Sequence, residues 1–124
     1  MKNKPLLVSV VDDDESVRES LPDLLKALGY AVQTFSSGEE FLASDRILHT
    51  KCMILDVAMP GISGPDLKRE LERRKFKCPV IFITGQGDEG LRSRLLDDGA
   101  VDCLFKPFSD TALQRALELA LMCK

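Results

Sequence analysis

The chain has 124 residues and a mass of 13.8 kDa, which suits one domain spanning residues 1–124, and its 44% of hydrophobic residues argues against a disordered chain. A net charge of −3 without any long basic run argues against direct nucleic-acid binding by this domain. No apolar run approaches the ~20 residues that span a bilayer, and no signal-peptide cleavage site is found, so we expect a cytoplasmic protein without membrane contact.

Five apolar runs rich in β-branched residues alternate with stretches of helical periodicity. They predict strands at 6–11, 31–35, 52–55, 80–83 and 101–105. The runs are continuous rather than alternating, which is typical of a parallel sheet covered by helices on both faces. The predicted fold class is therefore α/β, a (βα)5 doubly wound domain with a five-stranded parallel sheet.

The helix boundaries follow from capping and stop signals. The first helix ends at Gly29 and contains Pro22, so it is either kinked there or begins at Ser20; a kink is favoured. The segments "SSGEEF" and "SGPDL" have capping-box spacing and begin the second and third helices. A fourth helix is predicted over 89–98, and a fifth from Ser109.

Neither the cysteines nor the histidine has the spacing of a metal or redox site. Cys52, Cys78, Cys103 and Cys123 are widely separated and lie beside apolar residues, which predicts core thiols in a reducing compartment. His49 precedes the third strand and is predicted to be a surface residue.

Polar residues follow four of the predicted strands. Asp12 and Asp13 follow the first, Asp56 the third, Thr84 the fourth and Lys106 the fifth. Each has an ordinary explanation as a helix-start acid, turn former, strand residue or solvated charge. Ligands of open α/β sheets bind at this edge, however, and three adjacent carboxylates repel one another unless a cation is held there. The all-oxygen set predicts Mg²⁺.

A formal match to the dinucleotide fingerprint G-x-G-x-x-G occurs in "GQGDEG", residues 85–90. The fingerprint belongs after the first strand, with an acid at the end of the next strand. Here it follows the fourth strand, and the next one ends in Lys106. Nucleotide binding is therefore not predicted.

The segments "VVDDDESV", "ILDVAMPGISG", "ITGQGD" and "AVDCLFKPF", in this order, closely resemble the receiver domain of bacterial two-component response regulators. "MPGISG", "ITGQGD" and "KPF" are most similar to FixJ-type receivers, which usually precede a LuxR-type DNA-binding domain. The resemblance implies the CheY-like, flavodoxin-like strand order 2-1-3-4-5, and a receiver cut from a longer transcription regulator rather than a complete single-domain regulator.

The resemblance implies that Asp56 is the phosphoacceptor, taking a phosphoryl group from a histidine of a sensor kinase. It also implies that Mg²⁺ is bound directly by Asp13, Asp56 and the backbone carbonyl of Ala58, with Asp12 acting through a water. Asp14 and Glu15 are expected only to begin the first helix.

Further residues carried over from the resemblance contact the phosphoryl group. Thr84 and Lys106 would each bind one of its oxygens, and Gly85 would leave room for it to enter. The Lys106–Pro107 peptide is expected to be cis, as it is in the family.

One position departs from the family pattern. Cys103 stands where receivers usually carry a Tyr or Phe that moves inward together with Thr84. Either Phe105 or the fourth helix would replace that switch, or the response is weak. Family output passes through the fourth helix, fifth strand and fifth helix, often by a phosphorylation-dependent homodimer, to an effector domain or downstream protein.

Two alternatives to a phosphoacceptor switch remain. An inactive pseudo-receiver would bind a partner without phosphorylation; the complete set of site residues argues against this hypothesis, whereas Cys103 at the switch position favours it. A small Mg²⁺-dependent phosphatase would commonly need a second carboxylate two residues after Asp56, where this chain has Ala58. The sequence therefore favours a switch over a turnover enzyme.

Overall fold

The computed structural model describes residues 5–85 and 87–122 and contains one sheet of five parallel strands. The strands are β1 (Leu7–Val11), β2 (Ala31–Phe35), β3 (Cys52–Asp56), β4 (Val80–Thr84) and β5 (Asp102–Phe105). Their order is β2-β1-β3-β4-β5, which confirms the strand order that the resemblance implied and the doubly wound class that the apolar runs predicted.

Helices cover both faces of this sheet. They are α1 (Glu15–Ala27), α2 (Gly38–Leu42), α3 (Gly64–Arg73), α4 (Glu89–Asp97) and α5 (Asp110–Met122), with a 3₁₀ helix at Ile47–His49. One core packs the sheet against α1 and α5, and the other packs it against α2, α3 and α4. All five residues of β3 and of β4 are buried, which explains why these strands are continuously apolar.

The first helix begins earlier than one of the two sequence interpretations allowed. The Asp14 side chain accepts a hydrogen bond from the Ser16 N–H at 2.9 Å and caps α1, whose first turn contains Glu15. The helix continues through Pro22, so a start at Ser20 is wrong. The cap at Asp14 lies six residues before Ser20. The predicted role of Asp14 and Glu15 at the start of the first helix is confirmed.

The other helix starts follow the capping signals closely. Ser37 accepts from the Glu40 N–H at 3.0 Å, and Glu40 in turn accepts from the Ser36 N–H, so Ser37 is the cap of α2. Ser63 caps α3. The Ser109 hydroxyl accepts from the backbone of the first turn of α5.

The remaining predictions concern exposure. Cys52 and Cys103 are buried and Cys78 is half-buried, while Cys123 lies outside the described residues. His49 is exposed, as predicted. Among residues 5–85 and 87–122, no helix is long and apolar enough to cross a membrane.

Candidate functional site

The sheet places three carboxylates at the carboxyl ends of two adjacent strands. Asp12 and Asp13 follow β1, and Asp56 ends β3. Each offers one oxygen, and the three oxygens lie within 4.8 Å of one another. Asp12 is fully buried and Asp56 is 7% exposed, whereas Asp13 is exposed, so the cluster is open to solvent on the Asp13 side. The predicted convergence of these acids is confirmed.

Every polar group of Asp12 has a hydrogen-bond partner. Its backbone N–H donates to the Phe35 carbonyl at 3.1 Å, and its own carbonyl accepts from Arg18 Nη1 at 2.8 Å. Its Oδ1 accepts from the Asp14 N–H at 2.8 Å, and its Oδ2 accepts from Lys106 Nζ at 3.1 Å. Burying this carboxylate is tolerated because it is paired and bonded on all sides.

Asp56 is the carboxylate most disturbed by its surroundings. Burial, with repulsion from Asp12, raises the pKa of Asp56 to about 7, although attraction to Lys106 acts in the opposite direction. The distance from Lys106 Nζ to Asp56 Oδ1 is 4.0 Å. One ammonium thus faces two buried carboxylates, and the site has excess negative charge that a divalent cation would neutralise.

Gly64, the first residue of α3, lies very close to the backbone of Asp56. A Cβ built on Gly64 would collide with the Asp56 carbonyl oxygen and lie 3.1 Å from the Phe82 ring. The Gly64 N–H also donates to the Val57 carbonyl at 3.0 Å. Only glycine allows α3 to begin so near the end of β3.

The other predicted site residues also lie at the carboxyl edge of the sheet. Lys106 contacts two acids of the cluster, and Thr84, Gly85 and Ala58 lie at or just after the ends of β4 and β3. Thr84 is 3% exposed at the end of β4, and its carbonyl accepts the Lys106 N–H at 2.7 Å. Gly85 is exposed, and a Cβ built on it would meet no protein atom within 4 Å. Ala58 is exposed in the loop after β3. The Lys106–Pro107 peptide is cis, as expected.

Cys103 is buried, and its backbone is hydrogen-bonded to a side chain of α4. The residue is 2% exposed, and burial raises the pKa of its thiol. Its N–H donates to Asp102 Oδ1 at 2.7 Å, and its carbonyl accepts from Arg92 Nε at 3.2 Å. Arg92 also pairs with Asp102 at 2.9 Å. Phe105 lies on the same face of β5, and its ring is 3.5 Å from a Cβ built on Gly87.

Sequence reasoning did not identify Arg18, Gly64 or Arg92. Gly64 lies in the segment "GISG" that carried the resemblance, although its close approach to Asp56 was not anticipated. The two arginines act through backbone carbonyls of other elements, and no spacing in the sequence marks such contacts.

The donor set suits a hard divalent cation. Three carboxylates converge on one open position, and no Cys or His belongs to the group. Mg²⁺ binds such oxygen ligands through few protein groups and retains several waters, and the exposed Asp13 side offers room for them.

Comparison with known proteins agrees with this geometry. The profile of the "Response regulator receiver domain" matches residues 8–118. Nodulation protein W of Bradyrhizobium diazoefficiens is 45% identical over 114 residues, which are 92% of this chain and 50% of that protein. Transcriptional regulatory protein FixJ of Azorhizobium caulinodans is 44% identical over 116 residues, 94% of this chain and 55% of that protein.

Solved structures give the same result. The crystal structure of FixJ-N matches with a TM-score of 0.86 and 38% identity, covering 100% of this chain and 98% of that one. Response regulator StyR matches with a TM-score of 0.86 and 42% identity, covering 97% of this chain and 60% of that one.

The chain spans about half the length of the curated relatives it matches. Receiver domains are signalling phosphoacceptors of two-component systems rather than turnover enzymes. The profile match across most of the chain, together with these identities, shows that the protein belongs to the response regulator receiver domain family.

Proposed function

We propose that this chain is a phosphoacceptor switch in which Asp56 takes a phosphoryl group from a histidine of a sensor kinase. The observation that carries the proposal is the pairing of buried acids with one ammonium: Lys106 Nζ lies 3.1 Å from Asp12 and 4.0 Å from Asp56. This arrangement can accept added negative charge once a cation is bound, and phosphoryl transfer depends chiefly on such electrostatic stabilisation.

The transfer exchanges one bond for another. A carboxylate oxygen of Asp56 forms a bond to phosphorus while the phosphorus–nitrogen bond of the donor breaks. The electron pair of that bond leaves with the imidazole nitrogen, which then takes up a proton. The product is an acyl phosphate on Asp56. Lys106 and Thr84 would then bind phosphoryl oxygens, and the open space beside Gly85 would admit the group.

Asp13, Asp56 and the Ala58 carbonyl would hold Mg²⁺ directly, and Asp12 would hold it through a water. The ion supplies positive charge that offsets the charge of the phosphoryl oxygens. Asp12 is suited to an indirect role because Lys106 and the Asp14 N–H already occupy its two carboxylate oxygens.

The partners follow from the family. A sensor histidine kinase would supply the phosphoryl group, and an effector domain or downstream protein, including one that controls transcription, would receive the signal. We propose that residues 1–124 form one receiver domain acting in the cytoplasm, and that its phosphorylated form makes a homodimer. Because these relatives are about twice as long, the effector would lie outside this chain.

An inactive pseudo-receiver is the second candidate, and Cys103 at the switch position is the observation that favours it. Arg92 joins α4 to the Cys103 carbonyl, so this hydrogen bond must change if β5 moves relative to α4. Phe105, packed against the loop after Thr84, is the aromatic that is placed to respond.

The test is incubation with acetyl phosphate, followed by intact-protein mass spectrometry. Wild type with Mg²⁺ is expected to gain one phosphoryl group, whereas EDTA or Asp56→Ala abolishes the gain. Asp66→Ala, an exposed acid in the first turn of α3, is the matched control and retains it. No adduct on wild type under any condition favours the pseudo-receiver. Continuous release of phosphate in excess of protein would favour a phosphatase.

A further inference from the structure

Arg18 is the one side chain that the structure shows bonded to the backbone carbonyl of the buried acid Asp12. It is half-buried in the first turns of α1, and its Nη1 lies 2.8 Å from that carbonyl oxygen. Its own N–H donates to the Asp14 carbonyl at 3.2 Å. Arg18 therefore bonds at both ends of the short turn that joins β1 to α1.

The surroundings of Arg18 also connect it to α2. Hydrogen bonds from Ser36 lower the pKa of Glu40 most, and the nearby Arg18 guanidinium adds a smaller effect in the same direction. Glu40 belongs to the capping box that begins α2. The Arg18 guanidinium therefore lies near both the β1–α1 turn and the start of α2.

We propose that Arg18 is a positioning residue for the metal site. By holding the Asp12 carbonyl it fixes the turn that carries both Asp12 and Asp13, and so places the exposed Asp13 carboxylate within reach of Asp56. The inference rests on the proposed function, because it assumes that these acids bind Mg²⁺. Replacing a residue that orients a metal ligand without binding the metal itself commonly weakens metal affinity by 10- to 100-fold.

The direction in which the Mg²⁺ affinity changes when Arg18 is replaced distinguishes a positioning role from a purely electrostatic one. Arg18 is a cation near a cation site, so its charge alone opposes Mg²⁺ binding, and removing that charge would tighten the binding. Loss of positioning acts in the opposite direction, because the Asp13 carboxylate is no longer preorganised and its ordering must accompany binding. A weaker affinity after removal of Arg18 therefore cannot come from electrostatics.

The experiment measures the Mg²⁺ dissociation constant by ¹H–¹⁵N NMR titration with MgCl₂. Arg18→Met keeps the apolar stem and removes the donors, and Arg18→Gln is a second variant with a shorter polar side chain. Arg18→Lys retains the charge and one donor group. Lys26→Met removes the same charge from an exposed position at the other end of α1 and is the matched control. The spectra also report whether each variant is folded.

We expect Arg18→Met and Arg18→Gln to weaken Mg²⁺ binding about ten-fold. Arg18→Lys should recover most of the affinity, and Lys26→Met should leave it within about two-fold, because exposed charges at that distance are screened. Unchanged or tighter binding by folded Arg18→Met or Arg18→Gln overturns the inference while the proposed function stands. A wild-type protein that binds no Mg²⁺ removes the metal site itself, and the inference with it.

Discussion

Replacing Asp56 by Asn is expected to stabilise the metal-free protein, and increasingly so as the pH rises. Burial, with repulsion from Asp12, raises the pKa of Asp56 from its usual 3.8 to about 7. Between these two values the folded protein keeps a proton that the unfolded chain has released. The contribution of Asp56 to the free energy of unfolding is therefore complete below about pH 4 and is lost as the pH rises through about 7.

The magnitude follows from the size of the shift. A change from 3.8 to about 7 is about 3 units, and at about 1.4 kcal/mol per unit the ionised carboxylate costs the metal-free fold about 4 kcal/mol. This cost already includes the opposing attraction of Lys106, whose Nζ lies 4.0 Å from Asp56 Oδ1, and the neutral amide of Asn avoids it. We expect a net gain of about 2 to 4 kcal/mol at pH 8 and about zero at pH 4.

The assay is urea unfolding in EDTA followed by circular dichroism, since the chain has no Trp and one Tyr for fluorescence. Asp23→Asn, which changes an exposed acid on α1, is the control and should show no comparable dependence on pH. Saturating Mg²⁺ should narrow the difference by stabilising wild type alone. A difference between Asp56→Asn and wild type that stays constant from pH 4 to pH 8 would refute the reasoning.

Three further changes test packing contacts and backbone strain in the fold, each by urea unfolding at neutral pH. Gly64→Ala should destabilise by about 2 kcal/mol, because the new Cβ collides with the Asp56 carbonyl. Lys75→Gly should stabilise by about 0.5 to 1 kcal/mol, because the exposed Lys75 has a φ of +63° after α3. Arg92→Ala should destabilise by about 1 kcal/mol through lost bonds to Cys103 and Asp102.

Each of these changes has its own check. Gly87→Ala, where a Cβ meets the Phe105 ring at an ordinary 3.5 Å, should cost much less than Gly64→Ala, and equal costs would contradict the collision. A loss of stability in Lys75→Gly would mean that the lysine side chain makes a contact worth more than the backbone strain. Arg92→Ala with wild-type stability would mean that the Arg92–Asp102 pair is offset by its desolvation.

The fold class and the acidic cluster could be predicted because both follow from local patterns, whereas the strand order came from the family resemblance. Continuous apolar runs mark buried parallel strands, and the polar residues that follow them must meet at one edge of the sheet. Asp12, Asp13 and Asp56 are brought together for this reason. The capping serines and Asp14 likewise act within a few residues of their own position.

What could not be predicted depends on contacts between distant elements. Arg18 and Arg92 donate to backbone carbonyls that the sequence does not mark as acceptors. Lys75 adopts a left-handed conformation where a glycine would be expected, so no stop signal marked the end of α3. The sequence allows two starts for α1 because proline is unfavourable inside a helix, yet the helix begins at the Asp14 cap and continues through Pro22.

The most direct test of the account is to locate the phosphoryl group on the chain. After incubation with acetyl phosphate and Mg²⁺, borohydride reduction converts an acyl phosphate on an aspartate into homoserine, and peptide mass spectrometry identifies the altered residue. We expect homoserine at position 56 alone. Conversion at Asp12 or Asp13 with none at Asp56, or no conversion at all in protein that binds Mg²⁺, would contradict the assignment of Asp56 as the phosphoacceptor.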